Sequence, residues 1–266
     1  MVGDAFGKPI LQTLDANPGR WDLSSLLGIT SSGVMWSHET KQGLLRHHPG
    51  MLLLDAFSSS EALGMGSSVS MAGAEAATAK FELTPTSIVI DEHNRPVTPG
   101  SGEIGRLAVG GRVPLGYYKD AEKTARTFLE IDGKRYSCPG DYATVDADGK
   151  ITLLGRGSVC INTGGEKVFP EEVEEALKRH PSVADAVVVG VPDDKYGEAV
   201  TGVVELRPGE TLDEAALIAS VRSSLAGYKA PKRIIAVDTI GRAPNGKVDY
   251  KRIKSEAAQA IAGAPA

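Results

Sequence analysis

Lys247 follows Arg242-Ala243-Pro244-Asn245-Gly246, and the Asn-Gly pair makes a tight turn that pushes the lysine out on a loop tip. Such a lysine is a solvated charge unless the fold brings it a partner. Asp141 follows Gly140, either as a turn residue or as an ionised acceptor able to take two donors. Glu61 closes the run Phe57-Ser58-Ser59-Ser60-Glu61, which reads as a helix cap or as a carboxylate offered to a metal. Gly155, Gly157, Gly164 and Gly165 loosen the backbone around the short apolar stretch Val159-Cys160-Ile161. Paired glycines let another molecule approach the main chain closely. Pro170 suits a first helical turn, and Glu171 and Glu172 stand where the helix dipole favours carboxylates.

The elements that must position these groups fall into three textures. Residues 1–12 carry no cap or strand signal. Residues 26–30 read as a buried strand, Ser31-Ser32-Gly33 as the turn after it, 37–46 as a helix and 51–57 as a second strand. That spacing is a βαβ unit with a parallel sheet, whose ligands sit at the carboxyl ends of strands, where Gly33 and the Phe57 run fall. Residues 80–145 are strand-rich (81–83, 86–91, 105–109), as in a small antiparallel or barrel-like subdomain, with a helix at 120–128 and a hairpin turn at Asp146-Ala147-Asp148-Gly149. Tyr117 and Tyr118 read as packing. Beyond residue 158 a helix at 171–179, strands at 186–191 and 200–206, a helix at 212–225, a strand at 233–237 and a helix from Tyr250 make a compact α+β unit. The acidic cluster Glu171, Glu172, Glu174 and Glu175 reads as a solvated helix face. His47, His48 and His180 read as surface or helix-end residues, and Cys138 and Cys160 as small packing groups.

Composition bounds the function. The chain of 266 residues can bury the cores of two modest domains, and its net charge of −5 argues against a nucleic-acid surface. No run is long enough to span a bilayer, and there is no charged leader before an apolar stretch. The two cysteines lack metal-type spacing and fit a reducing compartment, hence the cytoplasm.

Several of these stretches together resemble the adenylate-forming, AMP-binding superfamily of acyl-CoA synthetases, acyl-AMP ligases and luciferases. Gly155-Arg156-Gly157-Ser158-Val159-Cys160-Ile161-Asn162, followed by Gly165-Glu166-Lys167 and a Glu-rich helix, resembles the family's hinge, with Ser158 in place of its Asp and Asn162 in place of its Lys. Phe57 to Glu61 resembles its Tyr-Gly-x-Thr-Glu motif. Gly102-Glu103-Ile104 with Gly116-Tyr117-Tyr118 resembles its Gly-Glu-Ile and Gly-Tyr-Tyr segment, and Pro139-Gly140-Asp141 its Thr-Gly-Asp. Gly227-Tyr228-Lys229-Ala230-Pro231 resembles its Tyr-Lys-x-Pro, and Pro244-Asn245-Gly246-Lys247 a shortened form of its terminal Gly-Lys motif.

The resemblance implies a partial N-terminal adenylation domain over 1–157, with its parallel sheet in residues 1–79 and a β-rich subdomain in residues 80–157. It implies a mobile C-terminal domain over 158–266, hinged at Ser158. It implies that Phe57 stacks on adenine, that Ser60 meets the α-phosphate, that Glu61 binds Mg²⁺, and that Asp141 takes the ribose hydroxyls with Arg156 nearby. Gly33 and Lys229 would also line the nucleotide site. Lys247 would act in adenylation, and Gly164 and Gly165 would meet the adenylate during thioester formation. The implied substrates are ATP, coenzyme A and a fatty or other carboxylic acid, with AMP and pyrophosphate released. A carrier-protein acceptor or a silent nucleotide-binding remnant remain alternatives, and a homo-oligomer is compatible. The family's Ser/Thr/Gly-rich phosphate loop should precede Phe57 and does not. The run from Ser70 to Gly73 and from Thr78 to Lys80 lacks its glycine spacing, so the chain is expected to be the later portion of such an enzyme and inactive alone.

Overall fold

The computed structural model describes residues 1–34, 36–74 and 79–263. The chain divides into two compact units, Met1–Leu154 and Gly155–Ala266. Thr78, which belongs to the run rejected above as a phosphate loop, lies outside the described residues.

The first unit runs α1 (Gly3–Ala16), β1 (Gly28–Ser32), α2 (His38–His47), β2 (Leu52–Ser59), β3 (Ala62–Ser70), β4 (Lys80–Leu83), β5 (Ser87–Ile90), β6 (Gly105–Gly110), α3 (Ala121–Thr127), β7 (Phe128–Ile131), β8 (Lys134–Ser137), β9 (Asp141–Val145) and most of β10 (Ile151–Arg156), whose last two residues fall in the second unit. β1 and β2 are parallel, Gly28 opposite Leu52 through Ser32 opposite Ala56, with α2 as the crossover. Ser31 and Ser32 therefore continue the strand instead of forming the expected turn. Ser37 caps α2 by accepting the Thr40 N–H. Leu44 and Leu45 on the apolar face of α2, with Trp36 just before its cap, pack against Met51 and Leu53.

Residues 1–12, which carry no sequence signal, form most of α1. Its N-cap is Val2, without a side-chain bond, and Pro9 sits inside it, so cap and propensity both hide it. Tertiary bonds hold it instead: the Gly3 N–H donates to Ser31 Oγ at 2.8 Å and Asp4 accepts the Ser37 N–H at 2.9 Å.

The Lys41 side chain on α2 is 0% exposed and its Nζ lies 3.2 Å from Asp55 Oδ2 on β2, with the Trp36 ring centroid 5.6 Å away. Burial pushes the Asp55 carboxyl above its ordinary range, and Lys41 offsets this only in part.

β2 turns directly into antiparallel β3, Ser59 opposite Ala62, so Ser60 and Glu61 are a two-residue hairpin turn and not a helix cap. The strand-rich stretch is antiparallel, one of the two forms expected. One sheet runs β1-β2-β3-β4-β10-β9-β6-β8-β7, with β5 on β6. The hairpin turn before β10 is closed by Asp146 N–H to Lys150 O and Gly149 N–H to Asp146 O.

The second unit runs β11 (Ile161–Thr163), β12 (Glu166–Val168), α4 (Pro170–Lys178), β13 (Val183–Asp193), β14 (Gly197–Leu206), α5 (Glu214–Ser224), β15 (Arg233–Val237) and α6 (Tyr250–Gly263). β14 pairs antiparallel with β13 and parallel with β15. Alternation along β13 divides the core in two. Val188 packs with Val173 and Leu177 of α4 and Leu217 and Val221 of α5, while Val187 and Val189 pack with Ile253 and Ala257 of α6.

The acidic face of α4 departs from expectation. Glu174 and Glu175 are buried, not solvated, with Glu174 only 4% exposed. Its Oε1 accepts the Val188 N–H and the Tyr250 O–H, both at 3.0 Å, because α4 lies against β13 and the start of α6. Burial pushes its carboxyl up. Among the described residues no helix is long and apolar enough to cross a membrane.

Candidate active site

In the first unit the β2–β3 hairpin collects three of the expected residues. The Phe57 ring is half-buried against Phe81, centroids 5.7 Å apart. Ser58 and Ser59 spend their hydroxyls inside the hairpin, accepting the Gly64 and Ala62 N–H groups at 3.1 Å. Ser60 is left exposed at the turn. Glu61 beside it is half-buried, and its Oε1 accepts the Tyr117 O–H at 2.5 Å. Tyr117 is itself braced by its N–H to Thr124 Oγ1, by Phe128 at 5.8 Å between centroids and by Lys123 Nζ at 3.9 Å above its ring.

Tyr117 is thus more than the packing residue expected, since it orients the carboxylate of the turn. Tyr118 is not packing at all, at 88% exposed. The paired aromatics after Gly116 are the only local signal, and they do not show which ring turns inward.

Gly33 follows β1 with open space beside its Cα. Asp141 opens β9 and is 4% exposed, so its carboxylate is a largely desolvated acceptor. Nearby Cys138 is buried and its thiol is pushed up by desolvation. Two open cavities of about 270 and 380 Å³ lie elsewhere in this unit, beside Trp21 and His48 and beside Lys134 and Tyr136. Neither is lined by an expected site residue. Among the described residues no three metal-ligating side chains cluster. A lone Glu61 fits a Mg²⁺ ion, which takes most of its ligands from phosphates and water.

The second unit holds the remaining residues. Arg156 ends β10, exposed, just before a turn of 3₁₀ helix at Gly157–Val159. Gly164 and Gly165, at φ +60° and +88°, are the two central residues of the hairpin between β11 and β12, with Thr163 opposite Glu166. Both positions need positive φ, the signature of a type I′ turn, which explains the glycine pair without further assumption. Asn162 beside it donates its N–H to Glu198, which also takes Lys254 Nζ. Lys229 Nζ lies 2.6 Å from Glu172 Oε2, so this expected nucleotide ligand is already engaged with the first turn of α4.

Lys247 is exposed beyond the Asn245-Gly246 turn, as its sequence context suggests. The turn is closed by Gly246 N–H to Ala243 O at 2.7 Å and Ala243 N–H to Lys247 O at 2.9 Å. Sequence reasoning missed Arg242, whose guanidinium grips Asp185 with Nε and Nη2 at 2.6 and 2.9 Å.

The fold and these motifs define an adenylate-forming enzyme architecture, and comparison with known proteins agrees. Residues 172–247 match the AMP-binding enzyme C-terminal domain. The chain is 48% identical over 265 residues to a 3-oxocholest-4-en-26-oate–CoA ligase of Rhodococcus rhodochrous, covering 96% of this chain and 47% of that one. It is 43% identical to the medium-chain acyl-CoA ligase Mig of Mycobacterium avium, covering 97% and 46%. Among solved structures, ATP-bound MatB from Rhodopseudomonas palustris superposes with a TM-score of 0.72 at 28% identity, over 87% of this chain and 45% of that one. The chain therefore carries an AMP-binding enzyme C-terminal domain, and over nearly its whole length it is similar to acyl-CoA ligases. It spans about half the length of the curated relatives it matches.

Proposed function

We propose that this chain supplies the later portion of an ATP-dependent acyl-CoA ligase. On this reading a carboxylate oxygen attacks the α-phosphorus of ATP, and pyrophosphate leaves with the bonding electrons. The thiol of coenzyme A then loses its proton and attacks the acyl carbon, and AMP departs as the thioester forms. Phe57 stacks on adenine, Ser60 faces the α-phosphate, and Asp141 with Arg156 holds the ribose. Glu61, oriented by Tyr117, is the residue that would hold Mg²⁺, which supplies charge neutralisation at the phosphates. Lys247 stabilises charge building at the α-phosphate, the role that favours a compact cation.

The observation that carries this reading is the placing of Lys247 on the tip of a closed turn, at the last position of the matched C-terminal domain. The two compact units support a rotation about Ser158 that withdraws Lys247 and presents Gly164 and Gly165 for the second half-reaction. The names of the relatives favour a substrate with a large apolar body, a medium- or long-chain fatty acid or a steroid side-chain carboxylate. A cytoplasmic setting suits two free cysteines.

The test is to place these residues behind the first half of the Rhodococcus relative. The chimera is expected to exchange pyrophosphate into ATP in the presence of such acids. Residues 1–266 alone are expected to show no exchange and to bind AMP at least as tightly as ATP. A folded chimera that binds AMP yet makes no acyl-AMP from any of these acids would overturn the reading. Strong exchange by the chain alone would place the phosphate site within it and reopen the segment between Ser70 and Lys80.

In the same chimera Asp141→Ala should weaken AMP binding by about 1.5–3 kcal/mol, the range for hydrogen bonds to a charged group. Unchanged affinity in calorimetry would remove Asp141 from the site.

A further inference from the structure

We propose that Arg242 is a positioning residue for Lys247, acting through the backbone of the turn that carries it. The inference rests on the reading of Lys247 as the adenylation cation.

The peptide plane between Gly246 and Lys247 is held on both sides. Its carbonyl, on Gly246, accepts from Arg242 Nη1 at 3.2 Å, and its N–H, on Lys247, donates to Asn245 Oδ1 at 3.2 Å. The carbonyl of Lys247 in turn accepts the Ala243 N–H at 2.9 Å. A planar peptide fixed at both its polar atoms leaves the following Cα little freedom, so the Lys247 side chain starts from a defined point and direction.

Arg242 can do this because its own head is anchored. Nε and Nη2 form a two-point grip on Asp185, leaving Nη1 for Gly246. Asp185 stands at an irregularity in β13, where the register shifts between Val183 and Asp185, and its Oδ1 accepts the Ala186 N–H at 2.8 Å. Lys178 Nζ lies 3.8 Å from the same oxygen.

The far end of the loop is fastened separately. Tyr250 donates its O–H to buried Glu174, and Arg252 Nη2 donates to the Ile240 carbonyl at 2.6 Å. The loop thus hangs between two acids, half-buried Asp185 and buried Glu174. Of these two fastenings, it is the Arg242 one that reaches the peptide next to Lys247. A planar fork can hold a carboxylate and a carbonyl at once, and an ammonium on a shorter head cannot reproduce that geometry.

Arg242→Lys separates the two functions of this residue, since it keeps a cation beside Asp185 and gives up the Gly246 carbonyl. In the 266-residue chain, the backbone order parameter of Lys247 is expected to drop from the rigid range near 0.85 to below about 0.6, with β13 and β14 unchanged. In the chimera, kcat for acyl-AMP formation is expected to fall by about 10–100-fold, in line with the cost of misplacing a reacting group by about 1 Å. KM for ATP, thioester formation from supplied acyl-AMP and the melting temperature should hold. Asp185→Asn, which loosens the anchor without touching the loop, should give the same pattern and serves if Arg242→Lys folds poorly.

Equal order parameters in wild type and both variants would overturn the proposal. So would a parallel fall in both half-reactions, the mark of a purely structural role. Lys247→Ala is run alongside. If it leaves adenylation intact, the reading of Lys247 fails. If it abolishes adenylation while Arg242→Lys and Asp185→Asn leave it unchanged, the positioning role fails.

Discussion

Lys247→Ala is expected to cut acyl-AMP formation by the chimera by about 10²–10³-fold, the loss typical of removing one preorganised charge stabiliser. Thioester formation from supplied acyl-AMP should stay largely intact, because negative charge builds at the α-phosphate only in the first half-reaction. The structure makes a clean result feasible. Lys247 is exposed, and the turn beneath it is closed through backbone atoms and Asn245, so truncating the side chain leaves the fold alone. Lys247→Arg should recover little, since the broader guanidinium presents its charge in a different geometry. Single-turnover assays of each half-reaction measure the split. Equal loss in both would remove Lys247 from its assigned step.

The second large effect concerns stability. Lys41→Ala should destabilise the first unit by about 3–5 kcal/mol, the cost of leaving one member of a buried ion pair without its partner. Asp55 would then sit beneath α2 with its main counter-charge gone, and its carboxyl is already pushed up by burial. The sign of the pH dependence follows. Removing Lys41 raises the folded-state value further, so the variant's deficit is full at neutral pH and shrinks as falling pH protonates Asp55.

Replacing both partners together, Lys41→Met with Asp55→Leu, should cost far less than either single change, since a buried pair and an apolar filling are often close in energy. Urea denaturation at pH 7 and pH 4 tests both statements. A single-variant cost below about 1 kcal/mol would show that the pair is solvated in practice. The effect should reach the candidate site as well, since β2 runs from Asp55 directly to Phe57 and the Ser60-Glu61 turn.

What the sequence determined was local. The Asn245-Gly246 turn and the Gly164-Gly165 pair each involve neighbours along the chain. Backbone conformation and hydrophobic period follow from such neighbours, so the helices α2 to α6, most of the strands and the family resemblance could be read directly. Element ends shifted by a few residues, the strands β3, β7, β8, β11 and β12 went unread, and α1 was lost because its cap is Val2 and Pro9 lies within it.

Tertiary structure decided which charges are solvated. Lys41, Glu174 and Asp185 look like ordinary surface charges in sequence, yet each is satisfied by a group from another element: Asp55 on β2, the Val188 N–H of β13 with the Tyr250 hydroxyl of α6, and Arg242 before α6. The same holds for Tyr117 on Glu61 and Glu172 on Lys229. A charge can be buried only where its partner arrives from elsewhere in the fold, and no periodicity records that arrival. The chemistry-bearing residues were therefore legible one by one, while the side chains that orient them became visible only once the chain was folded.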